Sequence, residues 1–89
     1  RVTDGEILSA MTELARTAGV FGEPAGVTAF AGFRKMALAG KIGRDERVVI
    51  VVTGNGLKDV DSARKAVPEP ILVEPDPEDL LRKLGNIAR

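Results

Sequence analysis

The sequence predicts an α/β fold, a partial parallel sheet flanked by helices in the order α-α-β-α-β-α. Several stretches repeat apolar residues at helical spacing, whereas residues 47–53 are a continuous β-branched run without alternation. Such runs are typical of strands that are covered on both faces, as in parallel sheets. Two strands do not form an independently stable sheet, so we expect the edge portion of a larger three-layer fold.

The first helix has a strong start signal. Thr3 and Glu6 have the spacing of a capping box, in which each side chain accepts a hydrogen bond from the other residue's backbone N–H. Gly19 is a natural stop. The apolar positions between them follow one helical stripe: Ile7, Leu8, Met11, Leu14, Ala15 and Ala18.

The second helix is predicted to begin at Pro24, which suits a first helical turn, and to end at Gly40. It is rich in small residues and carries no charge between Ala25 and Arg34. A helix that is apolar nearly all round is normally buried inside a larger body. We therefore expect this helix to need more chain than 89 residues supply.

The second half of the sequence reads as a β-α-β unit followed by a helix. Residues 47–53 form the first predicted strand, and residues 59–67 form a short helix with Asp59 as its N-cap. Residues 70–74 form a second strand, and a right-handed crossover should connect the two. The last helix is predicted to start at Asp76, its cap, with Pro77 at the first helical position.

Composition excludes several kinds of function. The chain has neither cysteine nor histidine, which removes disulfides, cysteine nucleophiles, the usual zinc sites and histidine acid/base catalysis. Thirteen basic residues balance thirteen acidic ones, so binding to nucleic acid or a membrane surface has little electrostatic support. We expect a cytoplasmic protein. Since the chain starts at Arg1 and leads directly into a helix, we also expect a piece of a larger protein.

Two segments could carry chemistry. Residues 53–59 follow the first predicted strand, where α/β sheets bind ligands, and Gly54 would let backbone approach a ligand closely. The alternative is a tight turn whose glycines only supply positive φ. Glu23 stands in apolar surroundings before Pro24, although a helix-start charge is the simpler interpretation. Lys58 adjoins the glycine turn and could reach an anion, but solvated surface is favoured.

The same two segments carry a family resemblance. Residues 19–29, Gly-Val-Phe-Gly-Glu-Pro-Ala-Gly-Val-Thr-Ala, and residues 53–59, Thr-Gly-Asn-Gly-Leu-Lys-Asp, resemble the C-terminal end of the threonine synthase family. These enzymes depend on pyridoxal 5'-phosphate (PLP), and threonine dehydratases and cysteine synthases share the layout. Residues 1–89 would then be a single C-terminal fragment of a larger PLP-dependent enzyme domain.

The resemblance implies roles for three residues. The Thr53 hydroxyl would hydrogen-bond the pyridine nitrogen of PLP, Gly54 would let backbone pass close to the ring, and Glu23 would lie near it. It implies no catalytic role for Lys58. In the family, the Schiff-base lysine and the glycine-rich phosphate loop belong to the N-terminal part, and neither has a counterpart here. We therefore predict no catalytic residue and no metal site in this chain, and no turnover by it alone.

The implied parent activity is conversion of O-phospho-L-homoserine and water to L-threonine and phosphate. Its small-molecule substrate would be held mainly by the N-terminal part, in a homodimer without nucleic-acid or membrane partners. A PLP-dependent threonine or serine dehydratase is the nearest alternative. A small non-catalytic oligomerisation or interaction domain is the alternative from another class.

Overall fold

The computed structural model describes residues 1–87. It contains four α-helices, α1 (Asp4–Ala18), α2 (Pro24–Leu38), α3 (Val60–Ala66) and α4 (Pro77–Ile87), and a short 3-10 turn at Gly56–Lys58. No helix in this range is long and apolar enough to cross a membrane.

The predicted ends of α1 are confirmed. The Thr3 hydroxyl accepts a hydrogen bond from the Glu6 backbone N–H at 3.2 Å, and the Glu6 carboxylate accepts one from the Thr3 N–H at 2.7 Å. These bonds satisfy backbone donors that a helix start otherwise leaves without partners. Gly19 ends the helix in the left-handed region with φ of 68°, which costs glycine little because it lacks a Cβ.

The other helix starts also follow the predicted signals. Pro24 opens α2, and the Asp59 carboxylate caps α3 by accepting a hydrogen bond from the Ser62 N–H at 3.1 Å. Asp76 accepts one from the Glu78 N–H at 3.2 Å at the start of α4. At its other end, α2 stops at Leu38, two residues before the predicted Gly40.

The two predicted strands are not confirmed in residues 1–87. Residues 47–53 and 70–74 have no regular secondary structure, and the side chains of Val49, Val51 and Leu72 are 88%, 70% and 85% exposed. A strand needs neighbours to pair its backbone groups and to cover its side chains. The described residues supply only an isolated antiparallel bridge between Gly22 and Asn55.

A small core lies between α1 and α2. Its fully buried apolar residues are Ala10, Met11, Val27 and Ala31. Partly buried residues surround it, including Ala63 of α3. Ion pairs tie the same two helices together at the surface, Arg34 with Glu13 and Lys35 with Glu6.

The described chain is more extended than an independent domain of its size. Its Cα radius of gyration is 16.9 Å, with principal extents of 51 × 28 × 21 Å. A compact domain of this length would have a radius of roughly 12 Å. α2, predicted to be buried, leaves Met36 and Leu38 48% and 84% exposed. The core therefore covers only one face of this helix.

Candidate functional site

The two segments singled out in the sequence lie side by side. The Glu23 N–H donates to the Gly54 carbonyl oxygen at 2.9 Å, and the Gly56 N–H donates to the Phe21 carbonyl oxygen at 3.0 Å. These bonds flank the bridge between Gly22 and Asn55. They join two stretches about 30 residues apart in sequence and fix Glu23 beside Gly54.

Glycines make this close approach possible. A Cβ on Gly22 would lie 2.6 Å from Cγ2 of Val27 and 2.7 Å from Cγ1 of Val52. A Cβ on Gly26, in the first turn of α2, would lie 3.1 Å from the backbone nitrogens of both Thr53 and Gly54. The start of α2 therefore packs directly on the backbone that carries the candidate site.

Glu23 occupies the N-cap position of α2 but makes no side-chain capping bond. Its carboxylate instead lies against Gly54, and a Cβ added to that glycine would overlap the carboxylate. The Glu23 side chain is only 20% exposed, and the Lys58 ammonium lies 3.7 Å from its Oε1. The carboxylate is thus placed at the end of the extended segment rather than used to start the helix.

Thr53 ends the extended segment and is exposed, whereas Gly54 is partly buried. Thr53 as a residue is therefore not enclosed in an apolar core. The structure brings together all three residues predicted to bind a cofactor, Glu23, Thr53 and Gly54.

The turn after Gly54 is fixed by its own polar groups. The Asn55 side-chain oxygen accepts a hydrogen bond from the Leu57 N–H at 2.9 Å, and its carbonyl oxygen accepts one from the Lys58 N–H at 3.0 Å. Asp59 then starts α3. The Asp59 pKa is lowered, chiefly because the Ser62 hydroxyl and N–H donate to its carboxylate. This chain of bonds orders the backbone between the candidate site and α3.

Sequence reasoning missed several residues that build the site. Gly22 and Gly26 were considered only as part of the family string, and Lys58 was assigned to solvated surface. Gly56 also belongs to the site, because a Cβ there would overlap the Phe21 ring. The available signal was the pair of glycines on either side of Glu23-Pro24, since glycine permits close backbone approach.

A separate cavity lies where α1, α2 and α3 meet. Its volume is about 300 Å³, and it is lined by Asp4, Ile7, Leu8, Pro24, Ser62 and Lys65. None of the three predicted cofactor residues lines it. The candidate site therefore lies apart from this cavity, where residues 47–53 end.

Comparison with known proteins gives a consistent result. The family described as "Pyridoxal-phosphate dependent enzyme" matches residues 1–54. A threonine synthase from Methanocaldococcus jannaschii is 49% identical over 86 residues, which cover 97% of this chain and 21% of that protein. A threonine synthase from Mycobacterium bovis is 46% identical over 83 residues, 93% of this chain and 23% of that protein.

A threonine synthase from Methanosarcina acetivorans is 47% identical over 73 residues, 82% of this chain and 18% of that protein. The chain therefore spans about a fifth of the length of the curated relatives it matches.

Proposed function

Since this chain belongs to the pyridoxal-phosphate-dependent enzyme family, we propose that it forms the C-terminal part of a threonine synthase. The whole enzyme would convert O-phospho-L-homoserine and water to L-threonine and phosphate. The match of nearly the full chain to threonine synthases supports this reading over a dehydratase.

One observation carries the proposal for the site. Glu23 and the Thr53–Gly54 pair come from distant parts of the sequence, yet backbone hydrogen bonds and close glycine contacts place them together. They lie where an extended apolar segment ends, the position at which α/β folds bind ligands. If the two segments were only structural turns, nothing would require Glu23 to lie beside Thr53 and Gly54.

The residues fit the edge of a pyridine ring. Thr53 is an exposed residue, and its hydroxyl can donate or accept a hydrogen bond. Beside it, Gly54 presents backbone without a side chain, and the Glu23 carboxylate fills the space that a Cβ would take. In the proposal, Thr53 faces the ring nitrogen while Glu23 and Gly54 border the ring.

The chemistry follows from the kind of group at the nitrogen. Bound PLP supplies an electron sink for carbanion chemistry on the substrate. Thr53 is a neutral partner, so it would leave the ring nitrogen largely unprotonated and moderate that sink. A carboxylate at the same place would favour a protonated nitrogen. Thr53 would therefore steer the enzyme toward elimination and replacement reactions.

The remaining parts would come from the N-terminal chain. That chain would supply the Schiff-base lysine, the phosphate loop and most substrate contacts, so residues 1–89 alone should be inactive. It would also provide strands beside residues 47–53 and 70–74. These strands would cover the side chains of Val49, Val51 and Leu72, which are exposed in residues 1–87. We further propose a homodimeric, cytoplasmic enzyme.

Replacing Thr53 tests the proposal. In the full-length enzyme, Thr53→Val should lower phosphate release from O-phospho-L-homoserine roughly 10- to 100-fold, the effect expected for one lost hydrogen bond to a reacting system. The absorption spectrum of bound PLP should change, and the melting temperature should not. Thr17→Val, at an exposed threonine of α1, is the matched control.

Two results would contradict the proposal. Unchanged turnover and spectrum in Thr53→Val would remove this residue from the site. Ammonia release from threonine by the wild-type enzyme, without phosphate release from O-phospho-L-homoserine, would assign the dehydratase activity instead.

A further inference from the structure

The Glu23 carboxylate is held in an unusual way. It sits at a helix N-cap yet leaves the helix N–H groups without a side-chain bond. It is four-fifths buried and pressed against the Gly54 backbone. A carboxylate in such a place needs a partner, because removing it from water without compensation is costly.

Lys58 is the charged partner that the described residues provide. Its ammonium lies 3.7 Å from Glu23 Oε1. The Lys58 backbone belongs to the 3-10 turn. The Lys58 N–H donates to the Asn55 carbonyl oxygen at 3.0 Å. The lysine side chain therefore starts from an ordered position, five residues after Thr53.

We propose that Lys58 is a positioning residue that holds the Glu23 carboxylate against the Gly54 backbone at the cofactor edge. This inference rests on the proposed function, since it assumes that PLP binds beside Glu23 and Gly54. Lys58 acts through Glu23 and does not itself touch the reacting atoms.

The ion pair between Lys58 and Glu23 should have a modest effect on the position of the carboxylate. The Lys58 side chain is 67% exposed, so water and salt screen its attraction for the carboxylate. Exposed pairs of this kind contribute little to stability. Removing the lysine should accordingly leave the fold intact while the carboxylate loses its fixed place beside Gly54. A change confined to the cofactor is the signature of positioning.

Cofactor binding in the full-length enzyme measures this effect. Apoenzyme variants would be titrated with PLP while the absorption spectrum of the bound cofactor and the melting temperature are recorded. Lys58→Met should weaken PLP binding about 2- to 5-fold, the range for a partly screened ion pair, and shift the absorption spectrum. Lys58→Arg should restore both. Lys41→Met, at an exposed lysine after α2, is the matched control and should resemble wild type.

A double variant shows whether the lysine works through the glutamate. If it does, Glu23→Gln combined with Lys58→Met should bind PLP no more weakly than Glu23→Gln alone. Additive losses, or a Lys58→Met enzyme indistinguishable from Lys41→Met, would overturn the inference while leaving the proposed function in place. A wild-type enzyme that binds no PLP would overturn both together.

Discussion

Residues 1–38 and residues 68–87 are built in opposite ways. In the first region, α1 and α2 bury Met11 and Val27 against each other almost completely. In the second, α4 leaves Leu81 69% exposed, and the extended segment before it leaves Leu72 85% exposed. The fold of the second region is held instead by polar contacts around Asp79.

Asp79 is the centre of those contacts. Its carboxylate accepts a hydrogen bond from the Glu74 N–H at 2.9 Å and pairs with Arg82 and Lys83. The Lys83 ammonium also donates to the Leu72 carbonyl oxygen at 2.6 Å. These bonds fix α4 to the segment that precedes it.

The comparison separates two kinds of apolar surface. Side chains between α1 and α2 find cover within the same 38 residues, so their burial stabilises the chain locally. Side chains of residues 47–53 and 70–74 find much less: Ile50 and Val52 are partly buried, whereas Val49, Val51 and Leu72 stay mostly exposed. Further protein should pack on these exposed apolar side chains, because large exposed apolar areas are uncommon on folded monomeric proteins.

Truncating the centre of the first region should have the largest effect. In the full-length enzyme, Met11→Ala should lower the free energy of unfolding by roughly 2–5 kcal/mol, since it leaves a cavity in the core. Urea denaturation measures this change. Arg16→Ala, at an exposed position of the same helix, should stay within about 0.5 kcal/mol of wild type. A small loss for Met11→Ala would mean that this core does not support the enzyme.

Adding one methyl group at Gly22 should come next. The new Cβ would overlap the side chains of Val27 and Val52. We therefore expect the free energy of unfolding to fall by about 1–3 kcal/mol. PLP binding should weaken as well, because Glu23 follows directly. Gly5→Ala is the control, as its Cβ would meet nothing closer than 4.0 Å. An equally stable Gly22→Ala enzyme would show that the two segments are loosely joined.

Loss of the α1 cap should be smaller. Thr3→Ala removes the hydroxyl that accepts from the Glu6 N–H and should cost about 1 kcal/mol in urea denaturation. Thr3→Ser keeps that hydroxyl and should recover most of the stability. No difference between the two variants would mean that the capping box contributes nothing to the whole enzyme.

The smallest effect should be local and should depend on pH. The pKa of Asp79 is lowered, first by the Glu74 N–H and then by Lys83. A folded-state pKa below the unfolded value means that the stabilisation is present above the unfolded pKa and is lost as pH falls through the folded pKa. Protection of the Glu74 amide from hydrogen exchange should therefore decline in acid.

Asp79→Asn should weaken that protection already at neutral pH, with little change in global unfolding. Glu78→Gln, at the exposed neighbouring carboxylate, should not. Equal protection in both variants at neutral pH would show that the Asp79 contacts do not hold this region together.

Local signals in the sequence were sufficient for the helices. Thr3, Asp59 and Asp76 each act within three residues of the group they cap, so their effect does not depend on the rest of the protein. The strands were predicted from a β-branched pattern that assumes neighbours. Because no neighbouring strand occurs in residues 1–87, the same pattern gave a backbone without regular secondary structure.

The amino-acid sequence by itself determined the helix starts and the motif strings that contain Glu23, Thr53 and Gly54, since both are encoded in short stretches. Only the tertiary structure decided that Glu23 lies on Gly54 and within 3.7 Å of Lys58. That contact depends on the close packing of two segments that are distant in sequence. Four glycines, Gly22, Gly26, Gly54 and Gly56, allow this packing because a side chain at any of them would meet the other segment.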